Sequence, residues 1–162
     1  MGYRDYTFEN FKINDSNRFA YSTAKKFAED STIIDPLYIY GESSEDKKHL
    51  MFAVANAIHN QDSKKIIKYL KASDYVNDYN NNENRRKYSD LEKEILNCDI
   101  LLIEDISSFS NNINAQMRFV RFFNKVFGKN KIVVTSNKPI NELSGFLDRF
   151  SSRLAWGLQI EI

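Results

Sequence analysis

The chain of 162 residues has one cysteine, one tryptophan, two prolines and two histidines. With only Cys98 present, an internal disulfide is excluded, and its place just before an apolar run marks it as a packed thiol. His49 and His59 lie ten apart on one predicted helix, so they project in different directions and cannot share a metal within it. They are read as surface or packing residues, and no metal site is expected. An excess of charge of either sign is also missing, the net being +1. That balance gives no general pull toward nucleic acid, for which a dedicated module would be basic. No stretch resembles a signal peptide or a membrane span, so the chain is read as cytoplasmic. Repeats and long linkers are missing too. What remains, 42% apolar and 14% aromatic residues, suffices for the core of one compact domain.

Apolar runs and helical periodicity alternate. Strands are expected near Leu37 to Tyr40, Lys65 to Leu70, Ile100 to Ile103, Lys131 to Thr135 and Leu158 to Ile162. Behind Asn14-Asp15-Ser16, a first helix over about Ser16 to Asp30 should bury Phe19, Thr23, Phe27 and Ala28. A second, Lys47 to Asn60, should bury Leu50, Val54, Ala57 and Ile58. The polar stretch from Tyr75 to Asn97, interrupted by Asn80-Asn81-Asn82, predicts two short helices joined by a mobile turn. Ala115, Phe119, Phe122, Phe123 and Val126 mark the core face of another helix. Trp156 should pack under the last strand.

The segment Leu37 to Met51 has the layout of a phosphate-binding loop with altered chemistry. An apolar strand feeds Gly41, and Lys47 opens an amphipathic stretch, as in the strand, loop and helix of G-x-x-x-x-G-K-[ST]. Asp46 stands at the second glycine and Lys48 at the hydroxyl. In such a loop successive backbone N–H groups and the helix start hold phosphate, and the hydroxyl holds Mg²⁺. Here Glu42, Glu45 and Asp46 outnumber Lys47 and Lys48, which repels an anion while stabilising the empty helix. Lys47 is expected to engage Asp105 or Glu104. Alternatively, the Lys48 ammonium stands in for Mg²⁺ and permits weak, metal-independent ADP or ATP binding. Downstream, Asp99 to Ile106 reads as a buried parallel strand ending in Glu104 and Asp105, and Lys131 to Pro139 as another strand ending in polar residues. Their carboxyl ends would gather the loop, the acid pair and Asn137 at the ligand edge of an open α/β sheet.

In order along the chain, these boxes resemble the AAA+ domain of the bacterial replication initiator DnaA. Tyr6-Thr7-Phe8-Glu9-Asn10-Phe11 with Ser16-Asn17-Arg18-Phe19-Ala20 is similar to its first box, and Pro36 to Met51 to its Walker A region. Leu101 to Ile106 is similar to Walker B, Thr135-Ser136-Asn137-Lys138-Pro139 to sensor 1, and Leu147 to Leu158 to the box bearing the arginine finger, on Arg153. The resemblance and the alternating pattern together imply an α/β fold of the AAA+ type P-loop NTPase core, a five-stranded parallel sheet of order 5-1-4-3-2 between helices. The resemblance also places nucleotide-binding positions, vestigial or weak, at Gly41, Asp46, Lys47, Lys48, Glu104, Asp105 and Asn137, and a partner interface at Arg149 and Arg153. The latter two, four apart, share a helix face. An internal salt bridge, for example Arg149 with Asp148 or Glu142, is the alternative.

Departures from the family shape the functional expectation. Because the chain ends at Ile162, the helical lid and the helix-turn-helix domain are expected to be absent from one domain spanning 1–162. Glu104 stands where the family has Asp, which shifts a carboxylate in a distance-sensitive metal site. Hydrolysis by this chain alone is not expected, nor are catalytic residues, nor a cofactor beyond weak ATP or ADP. The family's initiator-specific helices line a single-strand DNA channel, but Arg85, Arg86, Lys87 and Lys93 are offset here by Asp74, Asp78, Glu83, Asp90, Glu92 and Glu94, so DNA binding by the isolated domain is not expected. The chain is therefore read as a DnaA-like regulatory or adaptor protein of replication initiation. It would dock on DnaA or another AAA+ replication protein, with head-to-tail self-association possible. The competing class is a DnaA- or helicase-loader-like ATPase switch that binds ATP or ADP weakly.

Overall fold

The computed structural model describes residues 2–81 and 85–162. Five parallel strands form one sheet: β1 (Leu37–Tyr40), β2 (Ile67–Lys71), β3 (Ile100–Glu104), β4 (Lys131–Ser136) and β5 (Leu158–Glu161). Their spatial order is β2-β3-β4-β1-β5, the expected one read from the other edge. The helices are α1 (Arg18–Glu29), α2 (Ser44–Gln61), α3 (Ala72–Asn80), α4 (Arg85–Asn97), α5 (Ile113–Val126) and α6 (Asp148–Leu154).

The central strands β1, β3 and β4 are apolar without alternation because both faces of the sheet are covered there, while the edge strands β2 and β5 carry Lys68, Lys71, Gln159 and Glu161. Leu37, Ile39, Ile100, Leu102, Val133 and Ile160 face α1, α2 and the N-terminal aromatics Tyr6, Phe8 and Phe11. Tyr38, Leu101, Ile103, Ile132 and Val134 face the opposite way, into a core with Tyr75, Phe109, Phe119, Phe123 and Phe150. The aromatic stripe of α5 supplies much of that second layer, as its spacing predicts, although Phe122 is only partly buried.

Several local expectations need correction. Phe19 is 74% exposed, and α1 instead buries Ala20, Ala24, Phe27 and Ala28. The helix begins at Arg18 because Asn14 and Asn17 fold the preceding turn on themselves: Asn17 N–H donates to Asn14 Oδ1 at 3.1 Å, and Asn14 N–H to Asn17 Oδ1 at 2.8 Å. The buried stripe runs through Ala20, Ala24 and Phe27, and Phe19 stands outside it. In α2, Ala57 and Ile58 are only partly buried, beyond the fully covered Leu50 to Ala55. Trp156 is 63% exposed, its ring edge-on to Phe127 at 6.4 Å, not under β5. The β2 strand starts at Ile67 because Asp99 takes the backbone before it, accepting from Ile66 N–H at 2.8 Å. Cys98 is buried as expected, its thiol donating to Ile95 C=O while burial pushes its pKa up. The asparagine turn expected at 80–82 falls partly outside the described residues, as does Glu83. Among the described residues no helix is long and apolar enough to cross a membrane.

Candidate functional site

The carboxyl ends of β1, β3 and β4 meet the start of α2 around a cavity of about 280 Å³. Ser44, Lys47, Lys48, Glu104, Asp105 and Asn137 line it. Lys71, Ser73, Thr135 and Ser136 complete the wall. The fold thus brings together every position singled out along the chain for the nucleotide edge except Gly41 and Asp46, which stand just behind it in the loop.

Gly41 leaves β1 at φ 146°, a conformation that disfavours a side chain. A Cβ there would also lie 1.9 Å from the Ile162 carbonyl oxygen, so the glycine is required by the neighbouring strand's backbone. The N–H of Gly41 donates to Ser136 C=O at 3.2 Å, tying the loop to β4. Three residues on, α2 begins at Ser44, a turn before Lys47. Ser43 caps it: its Oγ accepts from Asp46 N–H at 3.2 Å and its C=O from Lys47 N–H at 3.2 Å. The spacing Ser43-x-x-Asp46 was the sequence signal for this early start.

Lys47 is 4% exposed. Its ammonium donates to Gly41 C=O and, at 2.7 Å, to Asn137 Oδ1. The expected ion pair with Asp105 or Glu104 does not form. The carbonyl that the turn at Gly41 aims inward and the sensor-type asparagine take the ammonium instead. Burial lowers the Lys47 pKa, against the raising influence of Asp105 and Glu104.

Both strand-end acids are also engaged by the protein. Glu104 accepts from Tyr69 OH and lies 3.9 Å from the Lys48 ammonium. Burial raises its pKa more than Lys48 lowers it. Asp105 sits at φ 53°, its N–H donating to Thr135 Oγ1 at 3.0 Å, while its carboxylate accepts from Ser107 and Ser108 hydroxyls of the following turn. A non-glycine residue in the left-handed region at a sheet edge is a mark of a functional site. The two serines that hold it were not legible as partners in the sequence. Among the described residues no group of three or more His, Cys, Asp and Glu side chains gathers as a metal site.

Arg149 and Arg153 lie on α6, away from this cavity. Arg149 is exposed. Arg153 Nε donates to Asn124 Oδ1 at 3.1 Å, and its guanidinium lies 5.5 Å from the Phe127 ring centre. The salt bridges considered for Arg149 are not formed: among the described residues neither arginine has an ion-pair partner. The histidines stay apart: His49 Nε2 meets Thr7 C=O at 2.8 Å, and His59 Nδ1 meets Lys65 C=O at 3.1 Å. In the α3–α4 insertion, Lys87 pairs with Asp78 at 3.7 Å, and Glu94 of α4 pairs with Lys68 of β2. From the sequence, Glu92 is one of the acids that offset the basic residues of this segment. It is buried, and Arg118 grips it with two bonds of 2.9 Å.

Comparison with known proteins agrees with this geometry. The chromosomal replication initiator protein DnaA of Onion yellows phytoplasma is 34% identical over 161 residues, which cover 97% of this chain and 32% of that protein. Domain III of the Thermotoga maritima replication initiation protein DnaA superposes with a TM-score of 0.87 at 29% identity, over 98% of this chain and 67% of that one. AMPPCP-bound DnaA from Aquifex aeolicus gives 0.85 at 26% identity, over 98% of this chain and 50% of that one. The chain spans about a third of the length of the curated relatives it matches. The family model of the bacterial DnaA ATPase domain matches residues 3–161, and the chain belongs to that family.

Proposed function

We propose that the chain acts in replication initiation as a DnaA-like regulatory or adaptor module, with nucleotide binding impaired and hydrolysis of its own lost. One observation carries this reading: the groups that would meet a Mg²⁺-bound triphosphate are held by the protein. Asp46 N–H and Lys47 N–H are taken by Ser43, the Lys47 ammonium by Gly41 and Asn137, and Lys48 stands beside Glu104 where a hydroxyl is needed. The residues present therefore do not fit a magnesium nucleotide. The module would dock on DnaA or another AAA+ replication protein, or head to tail on a second copy, through the α6 face bearing Arg149 and Arg153. DNA binding by the isolated domain is not part of this reading, since Lys87 of the insertion is paired with Asp78 and the insertion's Glu94 adds an acid paired with Lys68 of β2.

The second reading, a weak ATP- or ADP-binding switch, is favoured by one feature. Lys47, Asp105 and Asn137 still line a common cavity at the sheet's carboxyl edge. Calorimetric titration with ATP and ADP, with and without Mg²⁺, separates the two. Millimolar or absent affinity supports the adaptor, and micromolar Mg²⁺-dependent binding overturns it. Replacing Asp46→Gly together with Lys48→Thr should tighten ATP binding if the loop is the defect.

A further inference from the structure

The cavity at the sheet's carboxyl edge contains an ammonium where the loop's design calls for a hydroxyl. Mg²⁺ demands oxygen ligands at about 2.0–2.1 Å in near-octahedral array, and in a phosphate-binding loop the hydroxyl after the lysine supplies one of them. Lys48 offers no oxygen. Its Nζ instead projects to the end of β3, 3.9 Å from Glu104 Oε2, and both side chains are largely covered, at 35% and 19% exposure. The same Glu104 oxygen accepts from Tyr69 OH, a residue of the neighbouring edge strand. The carboxylate is thus anchored on one side by a phenol and faced on the other by a cation. The second acid of the pair, Asp105, also lines the cavity, with its carboxylate accepting from the hydroxyls of Ser107 and Ser108.

We infer that the Lys48 ammonium, paired with Glu104, has replaced the divalent cation of this site, so that the cavity excludes Mg²⁺ and takes any phosphate or diphosphate group without metal. A dication placed against Glu104 would share the carboxylate with an ammonium already there, and like charges at such range repel strongly in a partly buried site. An anion meets the opposite balance. Lys47, Lys48 and Lys71 line the cavity against Glu104 and Asp105, with the hydroxyls of Ser44, Ser73, Thr135 and Ser136 among them. Lys47 has three donors and uses two on Gly41 and Asn137, leaving one for an incoming oxygen. The cavity, about 280 Å³, has room for a phosphate or pyrophosphate group. The inference rests on the reading of the altered loop given above, and it names what the alteration has put in place of the metal.

The test is Mn²⁺ uptake by the full chain, read from loss of the free-ion signal in electron paramagnetic resonance, in the wild type, Lys48→Thr and Lys48→Met. Thermal melts confirm that each variant is folded. The wild type and Lys48→Met should leave Mn²⁺ free, while Lys48→Thr, which restores the hydroxyl beside Glu104, should bind it tighter by on the order of 10-fold or more. Uptake by the wild type overturns the inference, as does a folded Lys48→Thr that gains nothing. A parallel calorimetric titration with pyrophosphate and ATP, in chelator and in Mg²⁺, separates this failure from that of the adaptor reading. Tight ATP binding that is equal in both buffers sinks the adaptor and leaves the metal replacement standing. Binding strengthened by Mg²⁺ sinks the replacement.

Discussion

Arg118→Met should destabilise the domain by about 2–3 kcal/mol, through a carboxylate left buried without its cation. Glu92 on α4 is 4% exposed, and both its oxygens accept from Arg118 on α5, Nε to Oε1 and Nη2 to Oε2, each at 2.9 Å. Tyr75 OH is a further partner, at a distant 3.5 Å, and that hydroxyl in turn accepts from Tyr88 OH, which also interacts with Glu92. Bonds to charged groups contribute roughly 1.5–3 kcal/mol each, and breaking a fully buried pair costs about 3–5 kcal/mol. The Arg118 side chain is 45% exposed, so water can reach part of the gap and the lower end of that range applies. The loss of the guanidinium from the Tyr88 and Phe122 rings, 5.5 and 5.8 Å away, adds a smaller amount. For a chain of this size the melting temperature should fall by about 5–10 °C. Urea unfolding of the wild type, Arg118→Met, Glu92→Leu and the double variant is the assay. The double variant should recover most of the loss, because an apolar pair of similar volume replaces a desolvated ion pair at little cost. A single variant within about 0.5 kcal/mol of wild type, or a double variant as damaged as the sum of the singles, would refute the reasoning.

Three further outcomes follow from the same geometry. Gly41→Ala should cost more than about 2 kcal/mol in urea unfolding, since it combines a disfavoured φ of 146° with a methyl carbon 1.9 Å from the Ile162 carbonyl oxygen; wild-type stability would mean that the strand end moves aside freely. Glu104 has its folded-state pKa raised above 4.5 by burial, so its contribution is full below that value and is lost as pH rises through the folded-state pKa. The stability of wild type relative to Glu104→Gln should therefore fall from acid to neutral pH, and a flat or rising difference in denaturant titrations would contradict the assigned cause. Arg153→Ala should change stability by no more than about 1 kcal/mol, yet abolish any stimulation of a DnaA partner's ATP turnover, where an arginine supplied in trans can contribute roughly 10³–10⁵ in rate. Asn124→Ala, which frees the guanidinium from its 3.1 Å bond, should preserve or increase that stimulation, and equal turnover with wild type and Arg153→Ala would remove the finger role.

The sheet was legible because its signal is redundant. Each central strand is a short apolar run covered on both faces, so Leu101 and Leu102 must both be buried whichever way the strand is turned, and small errors of boundary leave the order intact. Helix faces lack that protection. In α1 the buried stripe runs through Ala20, Ala24, Phe27 and Ala28, so Phe19, one position away, stands in solvent, although both Phe19 and Ala20 fit an amphipathic pattern. Trp156 is similar: it precedes β5 where Gly157 lies against the Pro36 and Ile34 backbone, and its ring lies edge-on to Phe127 instead of under the strand.

At the site, residue types were readable and partnerships were not. The loop's acids and lysines could be named from spacing, but the choice between Lys47 pairing with Asp105 or with Gly41 and Asn137 depends on where a carbonyl points after a φ of 146°, which no linear pattern records. The same holds for Arg153, whose spacing from Arg149 marks a shared face, while its bond to Asn124 and contact with Phe127 arise from the packing of α6 on α5. These contacts have a functional consequence: any partner that recruits Arg153 must compete with a neutral hydrogen bond and an exposed ring contact, together about 1–2 kcal/mol, a cost that a phosphate anion can exceed. The arginine is held loosely enough to be drawn out by a partner's charge. Lys47, buried under Gly41 and Asn137, is not.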